Sequence, residues 1–306
     1  GRLLLLENYM RYTFKRLCHE GKIAVKEDGD NPGAEYAAFN TGLVNRTYDS
    51  IYALFRNNKF EQFSAYWYLV AFAIPGVDEG KTLTRLFHEM PQRADYFEDK
   101  IENMLYKTEA KLDIDYPHIL LENTSRLPKE LLKQVCRGTG QEKLLDVDGI
   151  GIDDVEQKEY RKSRKIGAVW TPEQEKCRKY YDELGRRLYD DMKNRGMTYG
   201  LLEERIRRAL KITKKRVEWN YKTAIPVYYP AANKGALLLP LALVDEDHVD
   251  LALVVEWQPQ SKRYQGETIL PLDIAYCNSR LVTRPDSDWL KLEQITPEEI
   301  GEDEDE

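Results

Sequence analysis

Between Ile225 and Leu270 four β-type runs follow one another with only short polar joints. The runs Ile225–Tyr229, Ala236–Val244, Leu251–Glu256 and Gln265–Leu270 are rich in branched and aromatic residues. Asp245-Glu246-Asp247-His248 and Pro259-Gln260-Ser261-Lys262 are too short to hold a crossover helix, so these strands pair as antiparallel hairpins. Upstream, Lys22–Lys26, Glu35–Phe39, Ile51–Phe55 and Tyr66–Ile74 again read as strands in a run, with Asp28-Gly29-Asp30-Asn31-Pro32-Gly33 as a strong turn. Strands that come in runs and do not alternate with helices specify an α+β fold with largely antiparallel sheets.

Helical spacing appears in four places. Leu6, Met10, Phe14 and Leu17 make one stripe over Leu3–His19, and Pro128–Val135 reads as a short helix. Thr171-Pro172-Glu173-Gln174 is a capping box with proline at the first helical position. It opens a helix that Asn194-Arg195-Gly196 breaks, and a second helix then runs to Trp219. This helical hairpin, 171–219, is inserted between the two strand-rich regions. Asp273–Val282 reads as a C-terminal helix after the β-meander. The stretch 77–115 shows no clear period, and the glycine-rich 138–160 reads as a linker or mobile insertion. Residues 1–290 are thus expected to form one elaborated domain, with a possible sub-boundary near 138–160.

Charge is unevenly spread. The 306 residues carry a net charge of −7. Yet Lys158–Lys222 holds twenty Lys/Arg against ten Asp/Glu, and 293–306 holds eight acids and no base. The second block reads as a solvated, disordered tail. The first reads either as a solvated helical face or as a surface for RNA or a protein partner.

Several chemistries find no support. Cys18, Cys136, Cys177 and Cys277, and His19, His88, His118 and His248, are dispersed without ligand spacing, so neither a metal nor a cofactor is expected. No P-loop, His-Glu-x-x-His or Gly-x-Ser-x-Gly motif is present. No apolar run reaches the roughly 18–20 residues of a membrane span. Arg2–Leu6 is too short for the apolar core of a leader, and a cytoplasmic location is the expectation.

What remains is a set of polar residues in apolar or turn-bounded settings. Asn40, Thr41 and Gly42 end a strand, where amide and hydroxyl can bind an extended ligand and glycine admits close approach; a turn that caps its own backbone is the alternative. His118 is a candidate acid or base, with Asn123 and Arg126 beside it, although such a histidine often only satisfies a loop. Asp273, Tyr276 and Arg280 share one face of the C-terminal helix and Asn278 a neighbouring one; an Asp–Arg brace is the alternative to an anion site. Tyr228 and Lys234 flank the start of the meander, where ring and ammonium can take a base and its phosphate, or simply join the core and a polar turn.

The segments Phe39-Asn40-Thr41-Gly42-Leu43 and Ile51-Tyr52-Ala53-Leu54-Phe55, with the long run from Thr268 through Asp273, Asn278 and Arg280 to Leu290, resemble the domain of unknown function 3825 family. Leu238-Leu239-Pro240-Leu241 and Asp250–Val254 fit its strand-rich C-terminal half, so the resemblance covers about Tyr36 to Leu290. The family motif more usually reads Asn-Asn-Ala-Arg where this chain has Cys277-Asn278-Ser279-Arg280. That departure keeps Asn278 and Arg280 and argues against Cys277 as a nucleophile. Similar domains stand beside RNA-binding modules, so the resemblance implies nucleotide or RNA chemistry. The leading expectation is a phosphate-accepting pocket for a nucleotide or RNA end, extending to metal-independent phosphoester hydrolysis if His118 or Asp273 moves protons. The alternatives are an RNA-binding module using the basic hairpin, or a scaffold that docks a partner through it.

Overall fold

A computed structural model describes residues 2–58, 65–96, 101–163, 169–230 and 233–291. The acidic stretch 293–306, read above as a disordered tail, lies outside the described residues. The fold is α+β, with two mostly antiparallel sheets and a C-terminal helix that follows the strands.

Helix α1 (Arg2–Glu20) precedes a four-stranded sheet of β1 (Ala24–Glu27), β2 (Glu35–Val44), β3 (Ser50–Asn57) and β4 (Trp67–Ala73), paired in sequence order. Helix α2 (Gly80–Leu86) closes that half. Strand β5 (Lys111–Ile114), helices α3 (Lys129–Gly138) and α4 (Gln157–Ser163), and the hairpin of α5 (Pro172–Lys193) and α6 (Met197–Trp219) follow. The meander of β6 (Ile225–Tyr229), β7 (Lys234–Leu241), β8 (Leu251–Gln258) and β9 (Arg263–Pro271) then leads directly into α7 (Leu272–Val282). The second sheet has the order β5-β9-β8-β7-β6. Its β5–β9 pair is parallel. That strand sits in the stretch read as irregular, because four residues are too few to establish a period of two.

Both faces of the second sheet are buried, which is why β7 and β8 read as continuous apolar runs and not as alternating ones. Leu237, Leu239 and Leu241 pack against α5 and α6, while Ala236, Leu238 and Val254 pack against Ala275 and Tyr276 of α7. On the far side of α7, α1 buries Tyr9 and Leu17 against Phe39 and Ala53 of the first sheet. The layers therefore run hairpin, five-stranded sheet, α1 with α7, four-stranded sheet, α2. The capping box at α5 forms in full, with Thr171 and Gln174 exchanging side chain–backbone bonds. The stretch 138–160 is not a linker: Leu145, Val147, Ile152, Val155 and Tyr160 are buried in the main core against the hairpin.

One buried charge ties the layers together. Arg16 of α1 is 1% exposed, and its Nε lies 2.6 Å from Glu20 Oε1. The same guanidinium donates to the Asp95 carbonyl at 2.9 Å and to Asn233 Oδ1 at 3.2 Å, and it lies 5.9 Å from the Tyr228 ring centre. Glu20 also accepts from the Asp95 amide at 3.0 Å and from Lys22 Nζ at 2.7 Å. Burial pushes the Glu20 carboxyl up, but the bonds from Lys22, Asp95 and Arg16 outweigh it and hold the group below the usual carboxylate range. Its stabilising contribution is therefore complete above the ordinary glutamate value of about 4.3 and is lost as pH falls through the lowered folded value. Glu20→Gln removes a carboxylate bonded to the buried Arg16 and to Lys22 and is expected to cost about 3 kcal/mol near neutrality. Urea unfolding at descending pH should show a shallower acid limb for the variant; parallel acid limbs would exclude Glu20 as the source.

Candidate anion-binding cleft

Strand β2 does not run straight to its end. The register with β3 slips between Asn40↔Tyr52 and Val44↔Ser50, leaving three residues of β2 opposite one of β3. Thr41 holds this bulge: its hydroxyl donates to the Ile51 carbonyl at 2.6 Å and accepts from the Leu43 amide at 3.1 Å. Asn40 Oδ1 accepts from the Gly42 amide at 2.9 Å. Gly42 has φ +74°, and a Cβ there would stand 2.6 Å from the Tyr9 hydroxyl. Glycine is therefore required twice, by backbone conformation and by the approach of Tyr9.

The bulge forms one wall of a cleft of about 930 Å³. Tyr9 and Thr13 of α1, residues 90–96, and the chain from Arg280 to Arg284 complete it. Asn40 is 7% exposed; with Oδ1 committed to Gly42, its Nδ2 is a donor without a partner among the described residues. Arg280 leaves the last turn of α7, Arg93 comes from the segment that Arg16 and Glu20 pin, and Arg284 follows α7. None of the three has an ion pair or side-chain hydrogen bond among the described residues, whereas Lys22 is paired with Glu20. Four cations and one acid, Asp95, line the cleft. Burial pushes the Tyr9 hydroxyl pKa up, and Arg280 and, more weakly, Arg93 pull against it; both guanidinium groups thus lie near that hydroxyl. Tyr96, hydrogen-bonded to Thr13 at 3.0 Å, is also pushed up by burial.

Other sequence candidates go elsewhere. Arg126 donates to Thr268 Oγ1 at 2.7 Å and to the Ile269 carbonyl at 2.8 Å, bracing β9. Lys234 pairs with Glu256 at 2.6 Å beside a separate cleft of about 270 Å³. The expected convergence of Asn40, Arg126, Lys234 and Arg280 is therefore corrected: only Asn40 and Arg280 meet. His118 bonds Glu122 through Nδ1 at 2.7 Å and Asn123 through Nε2 at 3.0 Å, within a π-helical turn. Asp273 faces Arg161 at 3.4 Å, so the brace is with α4 and not with Arg280. Tyr228 and Tyr276 are core residues, and Thr41 serves its own bulge. Asn278 is 5% exposed with no side-chain hydrogen bond among the described residues, but it does not line the cleft. Burial raises the Cys277 thiol to about 12, which makes it a poor nucleophile.

Sequence reasoning missed Tyr9, Arg93 and Arg284. Tyr9 lies beside an apolar stripe that absorbed attention, and Arg93 lies in a segment without periodicity. The hairpin arginines are largely satisfied by their own helices: Arg186 and Arg187 hold Glu183, whose carboxyl is pulled down to about 2, and Arg207 pairs with Glu203 and Glu204.

Gly42→Ala forces a left-handed alanine, at about 1–2 kcal/mol, and a clash with Tyr9 that adds about 1–3 kcal/mol. Adding Tyr9→Phe removes the clashing oxygen but not the backbone strain, so the double variant should regain part of the loss. Equilibrium unfolding of the four chains measures this; strict additivity would show that the hydroxyl does not press on Gly42.

Residues 2–289 match the model of the domain of unknown function 3825 family. No curated protein and no solved structure matches the chain. The bulge, α7 and every residue named in the cleft, from Tyr9 to Arg284, fall inside the matched span. The chain belongs to the domain of unknown function 3825 family.

Proposed function

We propose that the cleft between α1, the β2 bulge and the end of α7 binds the phosphate of a nucleotide or an RNA end. The observation that carries this reading is the set Arg93, Arg280 and Arg284. They are three guanidinium groups without an ion pair among the described residues, lining the same cleft as the buried Asn40, whose amide donor has no partner among those residues, in a chain of net charge −7. Guanidinium forks and an amide donor match phosphate oxygens; Asp95 is the one acid among the described residues lining the cleft, and Asp286 stands near Arg284 outside it.

The rim supplies a place for a base. Asn45, Thr47 and Asp49 lock the β2–β3 turn through mutual hydrogen bonds. They hold Tyr48 at φ 66° with its side chain 84% exposed at the cleft edge. A non-glycine aromatic in that backbone region and that far into solvent suits stacking on a ligand better than packing.

Binding is the better supported half of the expectation. His118 and Asp273 lie outside the cleft, no histidine lines it, and Tyr9 and Tyr96 are shifted away from proton transfer near neutrality.

Arg280→Gln and Asn40→Asp test the reading. The aspartate keeps the acceptor for Gly42 but replaces the donor with a negative charge. A ligand at about one hundred times its dissociation constant stabilises the folded chain by about 2.7 kcal/mol. Losing a charge-assisted bond worth about 1.5–3 kcal/mol should weaken binding by about ten-fold or more. Thermal shift with adenosine 5′-monophosphate and ribose 5-phosphate reads this out. Unchanged stabilisation in both variants would refute the cleft as the phosphate site. Tyr48→Ala should weaken the base-bearing ligand alone.

A further inference from the structure

The second half of α6 differs from the rest of the hairpin. Lys211, Lys214 and Lys215 have no ion pair among the described residues, in contrast to Arg178, Arg186, Arg187 and Arg207. Lys211, Lys215 and Trp219 recur at intervals of four, so they line one face for about 12 Å. Trp219 is 91% exposed, which is exceptional for an indole that touches no ligand. Beside it lies a groove of about 500 Å³ lined by Lys215, Arg216, Trp219, Asn220 and Trp289. Trp289 forms a fixed wall, since its Nε1 donates to the Thr223 carbonyl at 2.8 Å.

This groove lies a short stretch of chain from the cleft. Arg284 lines the cleft and Ser287 lines the groove. They are three positions apart in the sequence, so at most about 10 Å of extended chain lies between the two. The local charge is favourable to an anion: Lys211, Lys214, Lys215, Arg216 and Lys222 stand against Glu218, Asp286 and Asp288, and Lys222 and Asp286 form an exposed pair of little strength. These cations also oppose the partial negative charge at the C-terminal end of α6.

We infer that the ligand is a single-stranded RNA and not a mononucleotide: its terminal phosphate enters the cleft, and its following nucleotides run past Ser287 onto α6, where Trp219 stacks a base. This rests on the cleft reading. An unpaired lysine row tracks a phosphate backbone, and a solvent-exposed indole offers a flat face to any base, which together make a sequence-tolerant single-strand site. A lipid surface fits less well, because the large exposed apolar side chains at this face are Trp219 and Tyr221, next to five cations and three acids.

The test compares adenosine 5′-monophosphate with a 5′-phosphorylated single-stranded RNA about ten nucleotides long, the scale of such sites. The RNA should bind at least about ten-fold tighter. Trp219→Ala should weaken RNA by about five-fold or more and leave the mononucleotide unchanged. Lys211→Glu with Lys215→Glu should lower the log–log salt slope by about 1.4, two single-strand contacts at about 0.7 each. All three side chains are exposed, so the variants should fold as the parent does. Equal affinity for the two ligands, or RNA affinity indifferent to both sets of changes, overturns the inference; if Arg280→Gln still abolishes mononucleotide binding, the cleft reading stands without it. If Arg280→Gln alters neither ligand, both fall together. Loss of anionic-vesicle binding in the double lysine variant with RNA affinity unchanged also overturns it, and assigns the stripe to a membrane surface.

Discussion

The cleft exists because a charge is buried next to it. Arg16 reaches from α1 to its own helix through Glu20, to the segment carrying Arg93 through the Asp95 carbonyl, and to the β6–β7 turn through Asn233. A guanidinium with 1% exposure is tolerable only when its donors are satisfied, and each of those bonds ends on a different part of the fold. Satisfying one buried cation thus fixes α1 and the segment carrying Arg93, two sides of the cleft, relative to each other and to the β6–β7 turn. The segment 90–96 has no helix or strand of its own, and this bonding keeps Arg93 and Tyr96 facing the bulge of β2.

The bulge and the end of α7 are complementary in a second way. The glycine of the bulge brings the backbone under the Tyr9 hydroxyl, and the same geometry commits Asn40 Oδ1 inward, which turns Nδ2 outward as a donor. Acceptors are consumed by the fold and donors are left over. Arg280 and Arg284 add further donors from the opposite side. On the reading proposed above, three guanidinium groups and a spare amide donor in one cleft select anions by chemistry before shape enters.

The antiparallel meander, the hairpin with its capping box and the C-terminal helix were legible because each depends on local periodicity or turn residues. Asn40 and Gly42 stood out as a polar residue and a glycine at a strand end, and Arg280 by its helix face and the family resemblance. What could not be read was partnership. Arg126, Lys234 and Arg280 look alike in a sequence, but the first braces β9, the second meets Glu256 across a strand pair, and the third has no ion pair among the described residues. His118 looked like an acid–base group, yet its two ring nitrogens are taken up by Glu122 and Asn123 a turn away. Long-range pairing separates structural from available charge, and a single sequence does not carry it. Arg93 was illegible for the further reason that its segment is positioned wholly by tertiary bonds.

The same logic divides the basic hairpin. On α5 and the first half of α6, acids three and four residues from the arginines neutralise them within the helix, so the local excess of positive charge is mostly internal bookkeeping of a solvated surface. Lys211 has no acid at the matching positions, and Glu218, at i+4 from Lys214 and i+3 from Lys215, makes no ion pair with either among the described residues. Helical spacing therefore decides where positive potential survives: at the end of α6 that meets the segment leading from Arg284, rather than over the hairpin as a whole. On the reading proposed above, two donor-rich surfaces within a few residues of each other favour an extended polyanion over a compact one, since only a chain can occupy both at once and gain the affinity of each.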